Sequence, residues 1–269
     1  MKKNQLSLFS EIIGIGSASG LVYKDNSLFI ISDNSSFLYE FQIQEKQLTK
    51  IKLYENSQEN IPKKDKYDFE SITLKGNKFY IFGSGSTSKR EKQLIYNLEN
   101  KEISEKDLSK VYQNIKKETA ISDEDLNIEG ALFYEEKLYL FQRGNGTNSK
   151  NGIAIVSEKI KFIAFQLPKI KHVEGTFTDA ILVEDKIYFL ATAEDTASTY
   201  DDGEILGSLI GRIDIKTMTI DFTIKISEIH KFEGLTLYNN TNDKIEFLLC
   251  EDNDTEELKS IIYKLTLSN

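Results

Sequence analysis

A hairpin-like segment recurs five times along the 269-residue chain, and this repeat restricts the fold more than any other feature. Each copy opens with a polar residue, continues through an alternating strand and a short polar turn, and ends in a second strand. The opening residues, which we call the anchors, are Ser19, Glu70, Glu129, Thr178 and Glu233. They lie 51, 59, 49 and 55 residues apart, which leaves room for four strands in each repeat.

Further strands follow each hairpin and complete a four-stranded unit. Third strands are predicted at 37–43, 93–98, 152–157, 209–215 and 260–267, and fourth strands at 48–53, 161–166 and 219–224. The fifth unit ends after its third strand, so the alternating segment 5–13 is expected to supply its fourth strand and to close a ring without an exposed sheet edge. The sequence therefore predicts an all-β fold, a single five-bladed β-propeller spanning residues 1–269.

One stretch, 104–118, departs from the strand pattern. Its apolar residues recur at helical spacing, at Leu108, Val111, Tyr112 and Ile115. Ser104 and Asp107 resemble a capping box, with Asp in the position usually held by Glu or Gln. We therefore expect one short helical insertion, packed at the rim of the second blade.

Composition narrows the range of partners. The 43 acidic residues outnumber the 34 basic ones, for a net charge of -9, which argues against nucleic acid and against an anionic membrane surface. A small anionic ligand or substrate would need a metal ion or a local basic patch. The one cysteine, Cys250, excludes an internal disulfide and is expected to be buried. Because we identify neither a signal peptide nor a membrane-spanning stretch, we expect a cytoplasmic monomer.

The anchors are expected to share one end of the central channel, because the first strand of each propeller blade lines that channel. Three of them are glutamates, and at a separation of about 4 Å and an effective dielectric of about 20 each pair would repel by roughly 4 kcal/mol. Protonation or a hard cation must offset this repulsion. Oxygen ligands without His or Cys favour Ca²⁺, with Mg²⁺ as the alternative, so we predict a cation site formed by the five anchors.

Two alternatives remain open at this site. In the fourth blade Glu174, which precedes a glycine like two of the glutamate anchors, competes with Thr178 as the ligand. The glutamate anchors could also belong to blade-start turns in which each carboxylate accepts hydrogen bonds from backbone amides instead of binding an ion.

The loops after the second strands are expected to open on the same face as the anchors. The substrate-binding candidates in them are Asp33, Asn34, Lys89, Arg90, Asn145, Glu194 and Asp252, with Asn253 in the last loop. Arg143 is a catalytic candidate because its guanidinium could bind an anionic group bidentately. Glu174 or Glu129 could accept a proton from water, with His172 as an acid–base partner. His172 could equally be an exposed loop histidine, and the basic residues could be solvated charges.

Several blade starts resemble those of a known family, the soluble calcium-activated nucleotidases or apyrases, which are five-bladed propellers with an axial calcium ion. The similar segments are Ser19-Gly-Leu-Val-Tyr with Asp33, Phe69-Glu70-Ser71, Ile128-Glu129-Gly130 with Arg143, and Phe177-Thr178-Asp179. The resemblance implies a central Ca²⁺ held by Ser19, Glu70, Glu129 and Thr178, with Arg143 near a nucleotide phosphate. The Glu-Gly blade starts are also similar to those of esterase-like phytases and lactonase-type propellers.

These features together predict a Ca²⁺-dependent hydrolase that acts on a nucleotide-like phosphate ester or anhydride. In this interpretation the ion orients the attacking water, and Arg143 offsets charge on the substrate. The alternatives are a non-catalytic ligand-binding propeller with a structural central ion, and a metal-dependent esterase or lactonase.

Overall fold

The computed structural model describes residues 4–196, 198, 203–252 and 257–268. The strands of the described chain are β1 (Asn4–Ile13), β2 (Ala18–Lys24), β3 (Ser27–Ser32), β4 (Phe37–Gln42), β5 (Gln47–Lys52), β6 (Phe69–Lys75), β7 (Lys78–Gly83), β8 (Lys92–Asn97), β9 (Ile103–Asp107), β10 (Ile128–Tyr134), β11 (Lys137–Gln142), β12 (Gly152–Val156), β13 (Ile160–Ala164), β14 (Lys169–Ile170), β15 (Val173–Glu174), β16 (Thr176–Val183), β17 (Lys186–Asp195), β18 (Glu204–Asp214), β19 (Thr219–Ser227), β20 (Phe232–Asn240), β21 (Lys244–Glu251) and β22 (Lys259–Ser268).

Five four-stranded antiparallel sheets form the blades, in the orders β2-β3-β4-β5, β6-β7-β8-β9, β10-β11-β12-β13, β16-β17-β18-β19 and β20-β21-β22-β1. The first strands β2, β6, β10, β16 and β20 contact one another in sequence, and β20 contacts β2. This closed ring of inner strands confirms the five-bladed propeller. The N-terminal strand β1 pairs with β22 and completes the last blade, as the sequence predicts.

Each blade begins with a tight hairpin. In the first blade Lys24 pairs with Ser27 across a two-residue turn, and both turn residues have positive φ, 49° at Asp25 and 65° at Asn26. This conformation suits Asp and Asn and matches the twist of the flanking strands. The polar turns predicted from the sequence therefore fix the register of the two inner strands.

A β-bulge lies at the anchor in every blade. The pairing of first and second strands shifts register between Ala18 and Gly20, Phe69 and Ser71, Ile128 and Gly130, Phe177 and Asp179, and Phe232 and Gly234. The residue skipped in each case is the anchor itself. A bulge turns a side chain away from the regular alternation of a strand. The sequence repeat therefore corresponds to a β-bulge that recurs at the same position in all five blades.

The predicted helical insertion is shorter than expected and starts later. Residues 103–107 form β9, which pairs with β8 and completes the second blade, and the helix α1 occupies only Ser109–Thr119. The predicted capping box is therefore wrong: Ser104 lies in the strand, and Oδ1 of Asp107 accepts a hydrogen bond from N of Ser109 instead. Pairing with β8 decides the boundary, because a blade without its fourth strand would leave that edge unpaired.

The helix packs on the second and third blades through its apolar face. Tyr112 and Ile115 are fully buried in a cluster with Phe82 and Leu126, and the Tyr112 hydroxyl donates a hydrogen bond to O of Gly83. Cys250 in β21 is also buried, as predicted, and its thiol is free. Within the described ranges no helix is long and apolar enough to cross a membrane.

Candidate functional site

The two hydroxyl anchors connect neighbouring blades. Oγ of Ser19 donates a hydrogen bond to O of Phe69, at 2.5 Å, and Oγ1 of Thr178 donates one to O of Phe232, at 2.6 Å. Each accepting carbonyl belongs to the residue before the anchor of the next blade. Both hydroxyl groups therefore bind the neighbouring blade, although the sequence predicts them as metal ligands.

The glutamate anchors have different surroundings. Glu129 accepts hydrogen bonds at Oε1 from Nδ2 of Asn127, at 2.6 Å, and from Nη1 of Arg143, at 3.2 Å. Glu233 pairs with Lys231, at 3.0 Å. Glu70 makes no hydrogen bond or ion pair with any residue in the described part of the chain, although it is only 8% exposed. Backbone amides thus bind none of the three carboxylates among the described contacts.

Arg143 lies just after β11 and binds three carboxylates. Its guanidinium nitrogens lie 3.2 Å from Glu129, 2.5 Å from Glu194 and 3.5 Å from Glu233. The three acidic groups raise the pKa of Arg143 further above its usual value, against the effect of burial. The guanidinium is therefore occupied by protein carboxylates at the place where the sequence predicts a phosphate ligand.

A second group of charges surrounds Asp68, two residues before the Glu70 anchor. Lys66 lies between Asp33 and Asp68, with its ammonium 2.7 Å from Oδ1 of Asp68 and in contact with Oδ2 of Asp33. Arg90 donates a hydrogen bond to Oδ2 of Asp68, at 2.8 Å. One oxygen from each of Asp33, Asp68 and Glu70 can be chosen so that all three lie within 4.8 Å of one another.

The two groups form one continuous arrangement. Lys231 pairs with Asp252, at 3.0 Å, and the negative charge of Asp252 acts on Asp33, while that of Glu129 acts on Glu70. We call this arrangement the axial charge network. Its seven carboxylates are Asp33, Asp68, Glu70, Glu129, Glu194, Glu233 and Asp252, and its four cations are Lys66, Arg90, Arg143 and Lys231.

The carboxylates of the axial charge network outnumber its cations, and three of these carboxylates have raised pKa values. Burial raises the pKa of Glu70 and of Glu233 well above the usual range, and neighbouring carboxylates raise it further. Burial likewise raises the pKa of Asp33 to about 6, although Lys66 opposes the shift. Without a further cation, these shifts favour protonation of Glu70 and Glu233.

Sequence reasoning missed three members of this network, Lys66, Asp68 and Lys231. All three precede the first strand of their blade, which begins at Phe69 in β6 and at Phe232 in β20. Asp68 and Lys231 lie two positions before anchors. Asn127, which donates a hydrogen bond to Glu129, and Thr176 lie at the equivalent positions of the third and fourth blades. The Thr176 hydroxyl lies 3.4 Å from Nε of Arg143. The signal was present in the sequence but lay before the repeat as we defined it.

Other predicted site residues lie outside the network. Oε1 of Glu174 accepts a hydrogen bond from N of Leu167, at 2.9 Å, and exposed His172 pairs with Asp195, at 2.9 Å; no described contact joins Glu174 to His172. Lys89 donates to O of Asp65. Nδ2 of Asn34 donates to Oγ of Ser17, Asn145 borders a separate cavity, and Asn253 lies outside the described residues.

Solved structures similar in fold cover nearly the whole chain. A glutaminyl cyclase from Myxococcus xanthus has a TM-score of 0.56 and 12% identity, with 98% of this chain and 96% of that chain covered. The major Malassezia sympodialis allergen Mala s 1 has a TM-score of 0.55 and 10% identity, with 96% of each chain covered. A luciferin-regenerating enzyme has a TM-score of 0.50 and 10% identity, with 98% and 95% covered. At these identities the similarity shows the propeller fold alone.

Sequence comparison gives the family. No curated protein matches the chain. One family model matches residues 14–267, a range that contains all five repeated hairpins. The chain therefore belongs to DUF6929, a family of unknown function.

Proposed function

We propose that the protein binds a divalent cation, Ca²⁺ in preference to Mg²⁺, at Asp33, Asp68 and Glu70, and hydrolyses a small phosphate ester or anhydride there. The observation that carries the proposal is the approach of three carboxylate oxygens to within 4.8 Å of one another. Ca²⁺ binds oxygen at about 2.3–2.6 Å, so its ligands can lie up to about 5 Å apart, whereas ligands of Mg²⁺ lie within about 4.2 Å.

Several oxygen atoms at this place have no hydrogen-bond partner among the residues that the structure describes. Oδ1 of Asp33 and Oε2 of Glu129 are buried without a hydrogen bond among the described residues, and Glu70 makes none with them. A buried polar atom without a partner costs free energy, and a hard cation would offset that cost. The donor set therefore fits Ca²⁺, and the excess of carboxylates in the axial charge network favours a positive ligand.

The cation and the residues around it would have different roles in the reaction. A bound Ca²⁺ would polarise water and neutralise charge on a phosphate group. Glu129 would accept the proton of the attacking water at Oε2, the oxygen that Arg143 does not bind. Arg143 would be a positioning residue, because its guanidinium holds Glu129 and Glu194 and is not free to bind phosphate.

A titration and an assay together test this function. Ca²⁺ titrated calorimetrically into chelator-treated protein should saturate at one ion per chain, and Glu70→Gln should weaken binding at least tenfold. Glu158→Gln, at an exposed turn, is the matched control. Phosphate release from a panel of nucleotides and phosphate monoesters should require Ca²⁺. Absence of saturable binding would refute the cation site, and binding without turnover across the panel would refute the hydrolase.

One observation favours a second candidate, a non-catalytic binding propeller. Each cation of the axial charge network already pairs with at least one carboxylate, and buried pairs of this kind can serve to hold neighbouring elements in register. In that case chelation would lower the melting temperature, as loss of a bound ligand does, while no substrate of the panel would be turned over.

A further inference from the structure

A cavity of about 650 Å³ lies beside the axial charge network, between residues 144–151 and residues 164–176. Pockets of about 300–1,000 Å³ accommodate small-molecule ligands. The residues that line the cavity include Asn145, Asn151, Phe165, Val173, Glu174 and Glu194. None of the cation-site residues Asp33, Asp68 and Glu70 lines it, so it is a separate site.

The walls of the cavity are fixed by hydrogen bonds. Oδ1 of Asn151 accepts from N of Phe177, at 2.9 Å, and its Nδ2 donates to O of Phe165, at 3.2 Å. A side chain at Gly144 would place Cβ 2.4 Å from N of Asn151. The two ends of the 144–151 wall are therefore in close contact, and the hydrogen bond from Asn151 to Phe165 joins that wall to the other.

Two side chains of the cavity lining, Glu174 and Asn145, carry acceptor oxygens that no described residue binds. Oε1 of Glu174 accepts from N of Leu167, while Oε2 has no partner among the described residues. Oδ1 of Asn145 is buried and also without a described partner. A ligand that satisfies these two groups must supply hydrogen-bond donors, and the carboxylate of Glu174 favours a positive one.

Two basic groups near the cavity are already bound to the protein, whereas Lys169, which pairs with Glu174 across β14 and β15, does not line the cavity. Nζ of Lys150 donates to O of Thr119, at 2.5 Å, and Arg143 binds the carboxylate of Glu194. An anionic ligand would thus meet the carboxylates of Glu174 and Glu194, which both line the cavity. Phe165, whose ring packs against Phe177 with centroids 5.8 Å apart, and Val173 offer apolar surface for a carbon skeleton.

We propose that this cavity binds a small primary amine in its protonated form. The ammonium lies against Glu174 and donates to Oδ1 of Asn145, and the carbon skeleton packs on Phe165 and Val173. The site needs no metal ion, so it stands independently of the cation site proposed above.

Aryl amines of matched shape test the inference. Benzylamine and phenethylamine are titrated into the full chain in the presence of EDTA, with benzyl alcohol as the neutral control and benzoate as the anionic one. Both amines should bind saturably, at least tenfold more tightly than benzyl alcohol, and benzoate should not bind. Glu174→Gln, which keeps an acceptor for N of Leu167, should weaken amine binding at least tenfold, and Glu158→Gln should leave it unchanged.

Equal binding of benzylamine and benzyl alcohol would overturn the proposal, as would tighter binding of benzoate or unchanged affinity in Glu174→Gln. Asn145→Ala gives a second test at the other contact and should weaken benzylamine at least threefold; unchanged affinity there would also contradict the assignment. A chain that binds Ca²⁺ but no amine would refute this inference alone, and the reverse result would refute only the cation site.

Discussion

Nζ of Lys66 lies 2.7 Å from Oδ1 of Asp68, so a tethered cation already binds one of the three carboxylates that would hold a metal ion. The same ammonium contacts Asp33. Lys66 and a divalent ion would therefore compete for the same oxygens, and the positive charge of the lysine would repel the ion.

Replacing this lysine should strengthen cation binding. In Lys66→Met the competing ammonium is lost, and we expect Ca²⁺ affinity to rise at least tenfold in a calorimetric titration. The same variant should melt at a lower temperature in EDTA, because Asp33 and Asp68 lose a buried partner. Lys89→Met is the control, since among the described residues Lys89 binds a backbone carbonyl and an aromatic ring and no carboxylate. Unchanged Ca²⁺ affinity in Lys66→Met would contradict the competition.

Glu70→Gln should have opposite effects on stability with and without the ion. Burial and neighbouring carboxylates hold the pKa of Glu70 well above its usual value, so removing the acid should raise the free energy of unfolding in EDTA at pH 8. With saturating Ca²⁺ the variant should lose the thermal shift that the ion is expected to give the native chain. Urea denaturation measures the first effect and thermal melting the second. A variant less stable in both conditions would indicate a purely structural glutamate.

The stability of the metal-free protein should fall as pH rises from 4.5 to 7.5. Burial raises the pKa of Asp33 to about 6 and that of Glu251 to about 7. In this interval the folded chain holds protons that the unfolded chain has lost, so the free energy of unfolding decreases with pH. The stabilisation is complete below the unfolded pKa values near 4 and is lost above the folded values.

Glu246 has the opposite sign but acts in a lower pH range. Hydrogen bonds from Asn239 and Lys244 lower its pKa to about 2, so its contribution is lost only in acid. Burial lowers the pKa of His230, which opposes the fall within the upper interval. The contribution of Asp33 is therefore measured as the difference between the native chain and Asp33→Asn in EDTA, and the substitution should flatten the profile. A stability that rises over this interval would contradict the raised pKa values.

The hydroxyl groups of Ser19 and Thr178 are expected to stabilise the fold and not to bind the ion. Thr178→Val removes the hydrogen bond to O of Phe232 with little change in shape, and the buried carbonyl then lacks that donor, so stability should fall by about 1–3 kcal/mol. Ca²⁺ affinity should stay within about twofold of the native value. Ser19→Ala should behave alike at the first blade. A large loss of Ca²⁺ binding in Thr178→Val would instead restore the hydroxyl as a ligand.

Most of the fold could be predicted because it repeats. Alternation, polar turns and a recurring anchor identified each inner hairpin, and the missing strand of the last unit identified the closing role of β1. The bulge at each anchor could not be predicted, because a skipped pairing leaves no signature in side-chain alternation over so short a strand. The sequence predicts a helix that includes Ser104, because the apolar spacing at 108–115 gives no sign of where the preceding strand ends.

The site was predicted only in part, and for a physical reason. The sequence identifies Glu70, Glu129 and Glu233 as carboxylates in equivalent positions, but it does not say which cation each one meets. Lys66 reaches Asp33 across 33 positions of the chain and Arg143 reaches Glu194 across 51. Such pairings depend on how adjacent blades close, so one sequence cannot assign them.

The most direct test is the position of an ion in crystals grown with Ca²⁺, located by anomalous difference density at long wavelength. The account predicts one peak, coordinated by Asp33, Asp68 and Glu70, that disappears in crystals of Glu70→Gln. A map without a peak at these three carboxylates, or a peak that remains after the substitution, would contradict it.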